Sequence, residues 1–225
     1  MPKLGTTSDA HVANGDSFLA PAALRQPADA LGPRAQRTIA RIIEATRDVF
    51  LTRGYSGTTI DEIARVSNVS RASFYTYFPS KREVLLAVGA NAASECQAMI
   101  DRLAAEKGST RTGLRTWVAD YFDLLDVHAA FAFAWTQAAN ADEEVRMAGM
   151  KRHLNLCKNF GAALGIAVGR PSARPTMLGL AGFSVMERAW NYAQLYADTI
   201  DRHELIDEIA GGLWAFARQS GVASR

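Results

Sequence analysis

The sequence predicts an all-α protein: an N-terminal helix-turn-helix three-helix domain, then a larger C-terminal helical bundle. Three observations carry that expectation. Apolar residues recur at 3/4 spacing from about residue 35 onward, and no segment sustains the period-2 alternation of a strand. Signals for two short helices flank a three-residue turn, just after a longer amphipathic stretch. Basic side chains concentrate in the same stretch: residues 34–82 hold nine of them against four acidic ones, whereas the whole 225-residue chain is only +2. A basic block beside a slightly acidic remainder points to an anionic partner for one part of the molecule.

Residues 1–33 contain four prolines and three glycines with few large apolar residues, and are expected to form a flexible N-terminal tail. The first helix is predicted over about 35–53, with Ile39, Ile42, Ile43, Thr46, Val49 and Phe50 on one buried face and Gly54 as its stop. Thr59 to Glu62 reads as a capping box opening a short helix that ends near Val66. Ser67-Asn68-Val69 is a tight turn, and Ser70 caps a second short helix over 71–78, which Pro79 ends. Ser80 to Glu83 is a further capping box for a long helix to about Glu106, with Leu85, Val88, Ala92, Cys96, Met99 and Leu103 on one stripe. Helices are then expected over 111–127, 129–140, 142–165, 175–198 and 203–220, with breaks at Gly108-Ser109, around Asn140 to Asp142, and from Gly169 to Pro175. The domain division that follows is 1–33 tail, 34–82 DNA-binding head, and 83–225 ligand-binding and dimerisation body.

The second short helix carries the chemistry. Val69, Phe74 and Phe78 are spaced to pack inward, leaving Arg71, Ser73, Tyr75, Thr76 and Tyr77 as hydrogen-bond donors outside. An arginine at the start of such a helix can fork onto guanine in a major groove, and Ser or Thr can meet several base edges. Tyrosine hydroxyls and Lys81 suit phosphates, and Arg34 and Arg37 suit the flanking backbone or minor groove.

The stretch 58–85, TTIDEIARVSNVSRASFYTYFPSKREVL, resembles the signature of TetR-family transcriptional regulators in its Val-Ser turn, its Tyr-x-Tyr-Phe segment and the following Pro-Ser-Lys. The resemblance is close over about 35–85 and architectural beyond. It implies that Arg71, Ala72, Ser73 and Thr76 face bases, and that Thr59, Tyr75, Tyr77 and Lys81 hold phosphates. Two positions depart from the pattern: Asn68 stands where many members carry glycine, and Phe74 replaces a commoner aliphatic residue. Asparagine tolerates the left-handed region, so the turn is expected to survive.

Farther along, aromatic and large apolar residues accumulate. Trp117, Tyr121, Phe131, Trp135, Leu154, Phe183, Met186 and Trp190 are expected to line an apolar pocket between helices, where bundles place ligands. The stretch 175–220 is apolar on more than one face and is expected to pair with its twin in a four-helix homodimer interface, with Gly211-Gly212 marking a close helix approach. The expected function is a ligand-responsive DNA-binding regulator, a repressor that binds a pseudo-palindromic double-stranded DNA operator and is released by a small apolar effector. The rivals are a helical sensor or adaptor, or an enzyme on a helical scaffold, neither binding DNA. No HExxH, P-loop, GxSxG or Glu-x-x-His pair occurs, so neither an enzyme nor a cofactor is expected. His153 and Cys157, four residues apart, make a weak metal pair, and no metal is expected. Two cysteines without CxxC spacing, no signal-peptide pattern and no long apolar run lead to a cytoplasmic expectation with no membrane partner.

Overall fold

The computed structural model describes residues 31–105 and 110–220, without the side chains at 129, 130, 132, 133 and 136. Most of the expected tail and the Gly108-Ser109 break lie outside the described residues. Those described form eight helices and no strand: α1 Pro33–Gly57, α2 Ile60–Val66, α3 Arg71–Tyr77, α4 Lys81–Ala105, α5 Arg111–Ala141, α6 Glu143–Ala167, α7 Pro175–Leu195 and α8 Arg202–Ser220.

The local signals explain most boundaries. Thr59 Oγ1 accepts from Glu62 N at 3.2 Å, Ser70 Oγ from Ser73 N at 3.0 Å, and Thr110 Oγ1 from Gly113 N at 3.1 Å. Each satisfies an amide that a helix start leaves without a partner. Asp142 caps α6 by accepting from Glu144 N and Val145 N at 3.0 and 3.2 Å. Asn68 takes φ 52, as the turn requires.

Two boundaries differ most from expectation, and α7 also ends at Leu195 rather than 198. Gly54 kinks α1 at φ 63 instead of ending it, and the helix resumes to Gly57. The expected helices 111–127 and 129–140 are one, α5. No glycine or proline stands near residue 128, and both halves of the helix find partners. The first half packs into the body. The second half lies against α1, where Ala134 and Ala138 join Phe50, Leu85 and Val145 in a small core.

That junction core links two larger ones. The head core gathers Ile39, Ile42 and Val49 of α1, Ile63 of α2, Phe74 of α3 and the following Phe78, with Val84 and Ala87 of α4. The first turns of α4 therefore belong to the head. The body core runs through α4–α8 and is built around Trp117, Tyr121, Phe122, Phe160, Phe183 and Met186. Head and body are joined by two long helices, α4 and α5.

Close backbone approach occurs between α6 and α7. A Cβ at Gly161 would lie 1.9 Å from Pro175 O, and one at Gly179 1.8 Å from Cys157 O. Among the described residues no such close backbone approach is seen at Gly211-Gly212: the atoms nearest a Cβ at Gly211 belong to the Arg111 guanidinium, and one at Gly212 meets nothing within 4 Å. Asp126 pins the end of the bundle, accepting from Trp190 Nε1 at 2.7 Å, Gln194 at 2.9 Å and Arg202 at 2.8 Å.

Candidate nucleic-acid interface

α3 presents its outer face at the surface of the head. Phe74 and Phe78 are fully buried beneath it, in ring contact at 5.7 Å. Phe74 packs in the head core. Arg71, Ala72 and Thr76 are exposed, and Ser73, Tyr75 and Tyr77 are half-buried. Thr59 is exposed at the start of α2, beside the same face. Thr76 Oγ1 donates to Ala72 O at 3.1 Å, which leaves the oxygen free to accept.

Beside this face lies a groove of about 680 Å³ between the start of α1 and α3. Pro33, Arg34, Thr38 and Arg41 form one wall; Asn68, Ser70, Ser73 and Tyr77 form the other. Residues 34, 37, 38 and 41 fall on one helical face by 3.6-residue periodicity. Arg34, Arg37 and Arg41 are all exposed and form no ion pair among the described residues. Thr38 and Arg41 were not among the expected site residues. The i, i+3, i+7 arginine spacing was a usable signal for Arg41; the pairing of Thr38 with α3 across the groove was not.

The other basic groups of the head are already engaged. Arg53 pairs with Glu62 at 2.7 Å, with Arg65 a further 3.9 Å contact. Arg47 faces Glu95 at 3.6 Å. Arg82 reaches across to the body, 2.7 Å from Glu144 and 3.7 Å from Asp142. Lys81, expected at phosphate, is instead turned inward. Its Nζ donates to Tyr55 O at 2.7 Å and Thr58 O at 2.9 Å and lies 4.4 Å from the centre of the Tyr55 ring. Burial lowers its pKa. Two carbonyls at the end of α1 offer a fixed acceptor pair that the start of α4 can reach. Tyr75, also expected at phosphate, has its hydroxyl 3.4 Å from Arg71 Nη2.

The expected ligand residues fall into three groups. Trp117, Tyr121, Phe183 and Met186 share the body core, and Trp190 packs on its edge. Trp117 stacks on Tyr121 at 5.6 Å and on Phe160 at 4.8 Å, and Phe160 stacks on Phe183 at 4.6 Å. Phe160 was missed, although it lies at the right helical phase. Phe131 and Trp135 are not brought to that cluster: they lie at the head–body junction, Phe131 over Gly89 and Trp135 over Gly149. Leu154 is 40% exposed on the outer side of α6. At the rim of the body cluster Tyr121 Oη donates to Glu187 Oε1 at 3.3 Å. Burial pushes the Glu187 carboxyl up, with nearby His153 opposing. His153 Nε2 is 3.6 Å from Cys157 Sγ, but no cluster of three metal-ligating groups occurs among the described residues. Burial raises Cys96 to about 12 and Cys157 to about 11, so neither thiol is a ready nucleophile.

Among the described residues, a helix-turn-helix head on a larger helical body, with no strand, defines the class. Residues 42–88 match the family model for bacterial regulatory proteins, tetR family. The HTH-type transcriptional regulator SrpR of Pseudomonas putida is 46% identical over 54 residues, which are 24% of this chain and 25% of that one. The chain thus spans about a quarter of the length of that curated relative. A tetR-family transcriptional regulator from Streptomyces coelicolor shares the fold at TM-score 0.59 and 21% identity, over 86% of this chain and 85% of that one. So does the transcriptional regulator FadR from Bacillus subtilis in complex with stearoyl-CoA, at TM-score 0.60 and 19% identity, over 79% and 98%. The head of this chain is thus similar to that of tetR-family regulators, and the whole shares their fold. No helix among the described residues is long and apolar enough to cross a membrane.

Proposed function

We propose that this chain binds a pseudo-palindromic operator as a homodimer, represses transcription there, and is released by a small apolar effector. The observation that carries the reading is the joint face of α3 and α1: Ser73 and Tyr77 on one side of a groove, Arg34 and Arg41 on the other, and Arg37 exposed on the same helix, the three arginines without ion pairs among the described residues. Bases specify and phosphates position, and this face offers groups for both. Arg71, Ala72, Ser73 and Thr76 meet base edges, and Arg34, Arg37, Arg41, Thr59 and Tyr77 meet the backbone. Such a regulator works in the cytoplasm, where the DNA is.

A dimer through α7 and α8 is supported by what those helices leave uncovered. Met177, Val185, Tyr192, Leu195, Tyr196 and Phe216 are exposed, 42–65% each. Gly212 faces open space, leaving room for a partner helix. Two heads then read successive major grooves.

The effector site is placed in the body cluster around Trp117, Tyr121, Phe183, Met186 and Trp190. The stearoyl-CoA complex of FadR supports a long apolar ligand for this fold. A ligand shifts DNA affinity only by binding the two head spacings unequally. Parting the stacked rings moves α5. Its far end is tied to the head through the Gln137–Ser56 hydrogen bond at 3.2 Å, and the adjoining start of α6 through the Arg82–Glu144 ion pair. The α4 and α5 connectors therefore move the head together.

The test is a mobility shift with DNA upstream of the gene, with and without effector extracts, beside light scattering for the oligomer. Sequence-specific, salt-dependent binding by a dimer is expected. A monomer without sequence preference overturns the reading in favour of a sensor or adaptor.

A further inference from the structure

Arg71 is exposed at the start of α3, but its guanidinium is held. Nη1 donates to both carboxylate oxygens of Asp61 at 2.8 Å, and Nη2 donates to Tyr75 Oη at 3.4 Å. The guanidinium carbon lies 5.6 Å from the centre of the Tyr75 ring. Asp61 comes from the first turn of α2, ten residues earlier. An exposed ion pair of this kind contributes little to folding. Its consequence is directional.

With Nη1 on Asp61 and one Nη2 hydrogen on Tyr75, the donors left are Nε–H and the second Nη2–H. Those parallel donors match O6 and N7 of guanine. A long side chain tethered at its head has fewer rotamers to lose on docking. The Asp61 carboxylate, 66% exposed beside the docking face, also opposes phosphate on every duplex alike. One carboxylate thus weakens indiscriminate binding and favours one base, which is how specificity arises as a difference of affinities.

We propose that Asp61 is a positioning residue that sets the base choice of Arg71, turning its free edge onto a guanine of the half-site. The proposal rests on the DNA-binding reading above. The experiment is selection from a randomised duplex pool, with sequencing, using the full chain as wild type, Asp61→Asn and Arg71→Ala. The wild type is expected to enrich a motif containing a guanine that Arg71→Ala no longer selects. Asp61→Asn is expected to lose about tenfold in preference at that position only, while binding the unselected pool about threefold more tightly. Three results overturn the proposal and leave DNA binding standing: an Asp61→Asn motif within twofold of wild type, a loss spread over all positions, or a wild-type motif with no Arg71-dependent guanine. Failure of the wild type to enrich any motif overturns the DNA-binding reading, and the role of Asp61 with it.

Discussion

Replacing Arg34, Arg37 and Arg41 together with glutamine tests which charges meet phosphate. By composition the head holds nine basic groups in residues 34–82. Among the described residues those three are outward and without ion pairs, and the other six are engaged with carboxylates or carbonyls. Each phosphate neutralised contributes about 0.9 to the slope of log K against log salt, so three contacts contribute about 2.7 per bound head. Over a fourfold rise in salt the wild type should lose about fortyfold more affinity than the variant. The assay is fluorescence anisotropy of a random-sequence duplex over a potassium chloride series, with Arg53→Gln as the control for an engaged arginine. A triple variant whose slope changes by less than about one unit, or an Arg53→Gln change as large as the triple's, refutes the assignment.

Lys81→Met removes two charged hydrogen bonds to the carbonyls of Tyr55 and Thr58. It should cost about 1–3 kcal/mol in a thermal melt while moving the salt slope by less than one unit. Gly179→Ala drives a methyl to 1.8 Å from Cys157 O and should force α6 and α7 apart, at about 1–3 kcal/mol or more by calorimetry. Gly212→Ala meets nothing among the described residues and should leave the fold intact; loss of dimer by sedimentation in that variant places Gly212 at the interface. His128 is buried between α4 and α1, with its pKa lowered from 6.5 by burial and by Arg47 against the opposing pull of Glu95. Its contribution is full above pH 6.5 and declines as pH falls below it, because the unfolded chain takes the proton first. The melting-temperature difference between wild type and His128→Gln should therefore narrow from pH 7.5 to 5.5, and a constant difference contradicts this.

The helix-turn-helix was legible because its determinants are local. Thr59 and Ser70 cap within three residues of themselves, Asn68 sets a turn by its own φ, and Phe74 and Phe78 bury by periodicity. The α5 helix was misread because its continuity is decided at a distance. Its second half is held by α1, more than 80 residues earlier, through contacts such as Gln137 with Ser56. Likewise Phe131 and Trp135 look like pocket residues in sequence, where any aromatic at helical spacing does. Only the packing shows that they face Gly89 and Gly149 at the junction.

By itself the sequence determined the fold class, the helix-turn-helix and its caps, and the concentration of charge in the head. Those depend on spacing within a few residues, which a linear pattern records. The tertiary structure decided which charges are free. Lys81 turns inward because two carbonyls of the α1–α2 region converge on it, and Arg71 is aimed because α2 brings Asp61 beside it. It also decided that head and body share two connecting helices. A charge count sums side chains regardless of partner, whereas an ion pair needs two groups within about 4 Å, and only the fold sets that distance.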